Sequence, residues 1–253
     1  MSFILVAIDG TSSATGYNTV YQTESACVVN KSFVKRFHDN AAIGEKYFAE
    51  GPANQVFGSD SGGILDGAWS FLRKGLGRRP EAKVVLVGHS RGGHMVTALA
   101  IRLAQFKVGD FQTKMTSPGW KNPNPTQLVH FLGLYDAVDR TRKYGGDTSV
   151  VPSNVVHFAH AKRSPELGSR SSFGNTATRV NTSNVHLKNY AAKPFRATHG
   201  AIGGSVPHGC STKTGFLVND YCNVAISQEA NMRVAEEANQ FVLGAARRAE
   251  VPV

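Results

Sequence analysis

The stretch that most constrains this chain is Lys83-Val84-Val85-Leu86-Val87-Gly88-His89-Ser90-Arg91-Gly92-Gly93. Val84 to Val87 has the apolar, β-branched character of a buried strand. Gly-His-Ser-Arg-Gly closes it, and a segment with Met95, Leu99, Ile101 and Leu103 at helical spacing follows. Strand, G-x-S-x-G and helix in that order form a nucleophile elbow. The turn is so tight that side chains two positions either side of the serine would meet neighbouring backbone. Gly88 and Gly92 fill those two positions. The elbow predicts Ser90 strained and exposed at the C-terminal edge of a parallel sheet. It also predicts the Arg91 N–H facing the space where an oxyanion would form. A chance G-x-S-x-G is common, but it lacks the flanking strand and helix.

An alkyl hydroxyl is a poor nucleophile at neutral pH and needs a base, which in turn needs a carboxylate to orient it. With a nucleophile elbow, the acid and then the histidine follow the serine in the chain. The acid candidates after Ser90 are Asp110, Asp136, Asp139, Asp147, Glu166 and Asp220. Asp136 stands out because it ends the apolar run Leu128 to Tyr135, which predicts a place on the catalytic edge. Asp139 is the competitor, and capping of the following turn is the purely structural role for Asp136. Among the later histidines, His130 and His157 sit inside strand runs, where a satisfied core histidine is expected. His199, in Thr198-His199-Gly200-Ala201-Ile202-Gly203-Gly204, lies on a late Gly-rich loop as a base would. His208, before Gly209, is its competitor. A second oxyanion-hole N–H is expected from Gly10 or Thr11, after the strand Phe3 to Ile8, with Asp9 tying that loop down. No metal site is expected, because His199, His208 and Cys210 lack a fourth ligand at a recognised spacing. No cofactor is expected either.

Around these motifs the pattern alternates. Strands are expected at Phe3–Ile8, Lys46–Ala49, Lys83–Gly88, Leu128–Tyr135, Val155–Ala161 and Val185–Tyr190. Helices are expected over about Ser25–Asn40, Ile64–Leu76, Gly92–Phe106 and Ser227–Arg248, with Gly58–Gly63 as a loop and Phe195–Gly204 as Gly-rich loop. Alternation of this kind predicts an α/β fold: a mainly parallel sheet with helices on both faces. The chain reads as one domain over residues 1–253, with a basic flap or lid around 140–182.

The chain has 253 residues and a net charge of +10. From Arg140 to Lys213 there are eleven basic residues and two acids, Asp147 and Glu166, a net +9. That asymmetry favours an anionic partner, and a peripheral contact with an anionic membrane is one form of it. The bases are scattered and few aromatics interleave with them, so nucleic acid is not an expected partner. No run approaches the ~18 apolar residues of a membrane span. The first residues read as a core strand and not a signal peptide. Cys27, Cys210 and Cys222 are too few and too irregular for a disulfide framework. The expected location is cytoplasmic by default, and export by a signal-independent machine is compatible with that.

Four motifs in order resemble one group of α/β-hydrolases. They are Ile8-Asp9-Gly10-Thr11, Gly88-His89-Ser90-Arg91-Gly92, Phe131-Leu132-Gly133-Leu134-Tyr135-Asp136-Ala137-Val138 and His199-Gly200-Ala201-Ile202-Gly203-Gly204. The group is the catalytic-domain family of type VI secretion phospholipase effectors. The Gly-Gly before Ile64 and Ala159-His160-Ala161 also resemble its landmarks. The resemblance implies an α/β-hydrolase fold and a serine esterase acting on lipid esters. It implies Ser90 as nucleophile, Asp136 as acid, His199 as base, and Gly10 and Thr11 in the oxyanion-hole loop. The chain departs from the family pattern at His89 and Gly93, and lacks an acidic residue after His199. A soluble esterase, thioesterase or acyltransferase is the alternative within the same chemistry. A non-catalytic relative that binds an anionic partner is the alternative outside it.

Overall fold

The computed structural model describes residues 2–11, 28–30, 32–52, 61–112, 122–139, 147–167, 174–207 and 226–253. In chain order the elements begin with strands β1 (Phe3–Ile8) and β2 (Val28–Asn30), helix α1 (Phe33–Asn40), strand β3 (Glu45–Ala49) and helix α2 (Ser61–Arg78). The elbow segment forms strand β4 (Lys83–His89) and helix α3 (Ser90–Leu103). Strands β5 (Val129–Tyr135), β6 (Val138–Asp139), β7 (Val150–Val151), β8 (Val155–Arg163), β9 (Gly174–Asn175), β10 (Arg179–Val180) and β11 (Asn189–Phe195) follow. Helix α4 (His199–Ile202), strand β12 (Ser205–Pro207) and helix α5 (Gln228–Arg248) complete the order.

Six strands form the central sheet in the order β11-β8-β5-β4-β1-β3. Every pairing in it is parallel. A parallel sheet buries both faces, and the strands accordingly read as continuous apolar runs. Alternate residues serve opposite faces. Leu5, Ala7, Val85, Val87, Phe131 and Tyr135 pack with Phe33, Phe37, Ala238 and Val242 of α1 and α5. Ile4, Val6, Ile8, Leu86, Leu132 and Leu134 pack with Leu65, Trp69, Leu72, Met95 and Leu99 of α2 and α3. The chain therefore has an α/β architecture, a parallel sheet with helices on both faces. The strand order reverses between β1 and β4, because β3 lies outside β1 while β5, β8 and β11 continue on the far side of β4. Ligands of open α/β sheets bind beyond the strand C-termini at such a switch point.

Two expected elements are corrected. Residues 25–40 are not one helix: Val28–Asn30 is a strand paired antiparallel with Ser205–Pro207, and the helix starts only at Phe33. Ser32 caps it, its hydroxyl accepting from Lys35 N at 3.0 Å. The last sheet strand is Asn189–Phe195, not Val185–Tyr190. Among the described residues it is an edge strand, a position where Pro194 is tolerated. Smaller shifts occur at Ser61-Gly62-Gly63, which open α2 instead of ending a loop, and at Phe195–Gly204, where four residues are helical.

Candidate active site

Ser90 sits where β4 turns into α3, with φ +52°, the left-handed region that L-residues rarely adopt. The two glycines of the elbow allow it. A Cβ on Gly88 would lie 2.7 Å from the Gly92 carbonyl, and one on Gly92 would overlap the carbonyls of Ile8 and Asp9. Because α3 begins at Ser90, the Arg91 N–H belongs to the first helical turn, whose N–H groups have no intrahelical acceptor and favour negative charge nearby.

The structure brings Ser90, Asp136 and His199 together from three elements. His199 Nε2 lies 2.9 Å from Ser90 Oγ, and its Nδ1 lies 2.7 Å from Asp136 Oδ2. A carboxylate accepts only, so Nδ1 carries the proton and Nε2 is left to accept from the Ser90 hydroxyl. All three residues are buried, Asp136 completely. Asp136 follows β5 with φ +40°, and its N–H donates to Ala161 O of β8 at 2.7 Å. His199 is the first residue of α4, which Thr198 caps by accepting from Ala201 N.

Several contacts that the motifs did not reveal hold this arrangement. Arg163, the last residue of β8, donates its backbone N–H to Asp136 Oδ1 at 3.1 Å and its Nη1 to Oδ2 at 2.7 Å. Asn175 Nδ2 donates to Oδ1 at 2.9 Å. Burial alone would push the Asp136 carboxyl up. The hydrogen bond and charge of His199, and then the Arg163 guanidinium, outweigh it and hold the group well below the usual carboxylate range. His160 Nε2 accepts from Ala137 N at 3.1 Å, and burial pushes this imidazole down to about 4. Helix α5 reaches the residue before each of two site residues. Asn231 exchanges two hydrogen bonds with Thr198, and Asn239 Oδ1 accepts from the Tyr135 hydroxyl at 3.1 Å. Asn231 and Asn239 lie on the same helix face as buried Ala235 and Val242. Two asparagines on an apolar stripe are a signal that sequence reading could have used.

On the other side of Ser90 stand the residues that follow β1. Gly10 lies against the elbow: a Cβ there would be 3.1 Å from Ser90 Cβ and 2.5 Å from His89 Nδ1. The Gly10 N–H donates to Asp9 Oδ1 at 2.8 Å, and Ser32 Oγ donates to Asp9 Oδ2. His89 fills the space between Gly10 and Gly203, with Nε2 3.3 Å from the His199 carbonyl. An aromatic ring of this size fits because both neighbours lack a Cβ.

Of the competing candidates, His208 and the three cysteines lie outside the described residues, and of Asp139 only the backbone is described. Among the described residues no three His, Cys, Asp or Glu side chains are arranged to hold a metal ion. His130 and His157 are half-buried, not core: His130 Nε2 donates to Ala249 O at 2.7 Å, and His157 Nδ1 lies 2.7 Å from Asn189 Nδ2. Among the described residues, the bases of the 140–213 segment are not all at one end of the sheet. Arg163 is inside the site. Lys188 donates its N–H to Val156 O, at the opposite end of β8, because the chain returns there to start β11. Arg140, Arg142, Lys143, Arg170 and Lys213 lie outside the described residues.

No protein-family model matches the chain, and no curated protein matches it. Solved structures do. An uncharacterized protein from Pseudomonas aeruginosa is 14% identical with a TM-score of 0.49, over 96% of this chain and 50% of its own. The Tle1 effector bound to the VgrG spike of the type 6 secretion system is 15% identical with a TM-score of 0.41, over 81% and 51%. An acetyl xylan esterase is 12% identical with a TM-score of 0.34, over 98% of both chains. The chain spans about half the length of the first two.

Proposed function

We propose that this protein is a serine hydrolase that cleaves carboxylic esters through an acyl-enzyme, with Ser90 as nucleophile, His199 as base and Asp136 as the acid that orients it. One observation carries the reading: a single imidazole bridges a strained elbow hydroxyl at 2.9 Å and a buried carboxylate at 2.7 Å. Ser90 Oγ attacks the acyl carbon while Nε2 takes its proton, and the imidazolium is stabilised by Asp136. Collapse of the tetrahedral intermediate expels the alcohol, which receives that proton from Nε2. Water, activated by the same nitrogen, then releases the acid. The N–H groups of Arg91 and Thr11 are the donors we assign to the oxyanion. Gly10, the other expected donor, is engaged by Asp9 and fixes the loop. The lipid-ester part of the proposal, including kinship with type VI phospholipase effectors, rests on the four ordered motifs.

The test is Ser90→Ala with a fluorophosphonate probe and p-nitrophenyl esters. The wild-type protein should be labelled and turn over esters; the variant should fold and do neither. Turnover retained by the variant would refute the assignment. Product analysis on phospholipid vesicles beside soluble esters then separates a lipase from a soluble esterase.

A further inference from the structure

We propose that Arg163 is a positioning residue that sets the basicity of His199 through the carboxylate the two side chains share. The proposal rests on the hydrolase reading above. Asp136 Oδ2 receives two donors, His199 Nδ1 and Arg163 Nη1, each at 2.7 Å. The other oxygen receives Arg163 N and Asn175 Nδ2. The Arg163 and Asp136 side chains are 6% and 0% exposed, so solvent does little to screen them. A guanidinium is charged throughout the working pH range. In the resting state it already compensates the carboxylate, so a proton arriving on His199 meets a nearly neutral pair and not a bare anion. Protonating the imidazole is therefore harder than in a plain Asp-His pair. His199 stays in its base form to lower pH, and Asp136 stays ionised. Arg163 also fixes both carboxylate oxygens from one residue, which orients the acid.

The other groups around His199 leave this reading intact. Ser90, from the elbow, is neutral. His89, from the end of β4, has its ring centroid 5.1 Å from that of His199, and its Nδ1 lies 3.7 Å from Asp9. From β8 come His160, pushed down to about 4 and so neutral at working pH, and Lys162, half-buried beside Arg163 in the chain. Asn175 from β9 and Asn231 from α5 are neutral amides. Among these, the guanidinium alone both carries charge and touches the shared carboxylate.

The experiment compares the full wild-type chain with Arg163→Met. The His199 imidazole is titrated by NMR, and Ser90 phosphonylation is timed against pH. Loss of the guanidinium should raise the His199 midpoint by about one pH unit. Labelling on the acid side should slow by about tenfold at a given pH. Arg163→Lys, which keeps the charge, should restore most of the acid limb. Asn175→Ala, which removes a neutral donor, should leave the midpoint in place. If Arg163→Met does not fold, Arg163→Gln, which supplies an amide N–H without charge, gives the same reading. An unmoved His199 midpoint in a folded variant overturns the proposal. Absence of labelling in the wild type at every pH overturns the hydrolase reading instead, and the NMR midpoint still decides what Arg163 does to the imidazole.

Discussion

Two carboxylates flank the elbow, and their fates differ. Asp9 follows β1 and Asp136 follows β5, the strands that pair with β4 on either side. Both are completely buried, and both stand at the C-terminal rim of the sheet. Asp9 accepts from a backbone N–H and a hydroxyl, Gly10 N and Ser32 Oγ, and the nearest imidazole, His89, stays 3.7 Å away. Asp136 accepts from an imidazole, a guanidinium and an amide. Burial and position at a strand end therefore do not assign a role. The donors do: a backbone N–H and a hydroxyl make Asp9 a clasp, and the proton on an imidazole makes Asp136 a participant in the reaction we propose. The chain used the same residue type at mirror positions for two tasks.

The sharpest way to break this comparison is to neutralise each acid in turn. Asp136→Asn should lower the turnover of folded enzyme by on the order of 10⁴-fold, because an amide at that point favours the wrong tautomer of His199. It should also cost about 3 kcal/mol of stability, since the buried ion pair between Arg163 and Asp136 is broken. Activity must therefore be referred to the folded fraction, by circular dichroism on the same samples. If Asp9→Asn lost more turnover than Asp136→Asn, the two roles would have been assigned the wrong way round.

The same contrast shows what the sequence made legible. β1, β4, β5 and the C-terminal helix were readable because each is a local pattern: an apolar run or a 3.6-residue stripe with its own boundary signals. Asp136 was visible as a polar residue at the end of such a run. Arg163 was not. In sequence it is one of eleven scattered bases, and only the β5–β8 ladder, which sets Tyr135 against Ala161, brings it to the carboxylate. Val28–Asn30 was hidden for the same reason. Its partner strand lies some 175 residues further on, and apolar side chains at helical spacing drew the local reading towards one long helix. The glycines around His89 explain a departure that looked anomalous: the imidazole fits where Gly10 and Gly203 leave room.

A second prediction concerns the clasp. Asp9→Ala removes the acceptor of the Gly10 N–H and of the Ser32 hydroxyl, two buried donors at 1–3 kcal/mol each, or about 4 kcal/mol in all. For a chain of this length that should lower Tm by about 10 °C. Ser32 also caps α1, so its reorientation adds to the effect on the face packed by Phe33 and Phe37. Turnover per folded molecule should fall far less than in Asp136→Asn. A loss of turnover without loss of stability would show that Asp9 takes part in the chemistry after all.

The smallest effect separates the two sides by pH. His160 supports the Asp136 side by accepting the Ala137 N–H, which requires a neutral imidazole. Its pKa, pushed down to about 4 by burial, lies below the unfolded value of about 6.5. The unfolded chain thus binds a proton between those values that the folded chain refuses, and stability falls as pH drops through that window. The full loss is on the order of 3 kcal/mol and levels off once the folded form protonates as well. Asp136 does not enter this window: its lowered pKa contributes stability that persists until pH falls below the ordinary carboxylate value. Urea midpoints of wild type and His160→Gln at pH 7.5 and 4.5 isolate the term, since His130, His157 and the surface acids contribute equally to both proteins. The variant should lose distinctly less stability on acidification. Equal losses in the two proteins would mean that His160 is already protonated in the folded state and that the Ala137 N–H turns elsewhere.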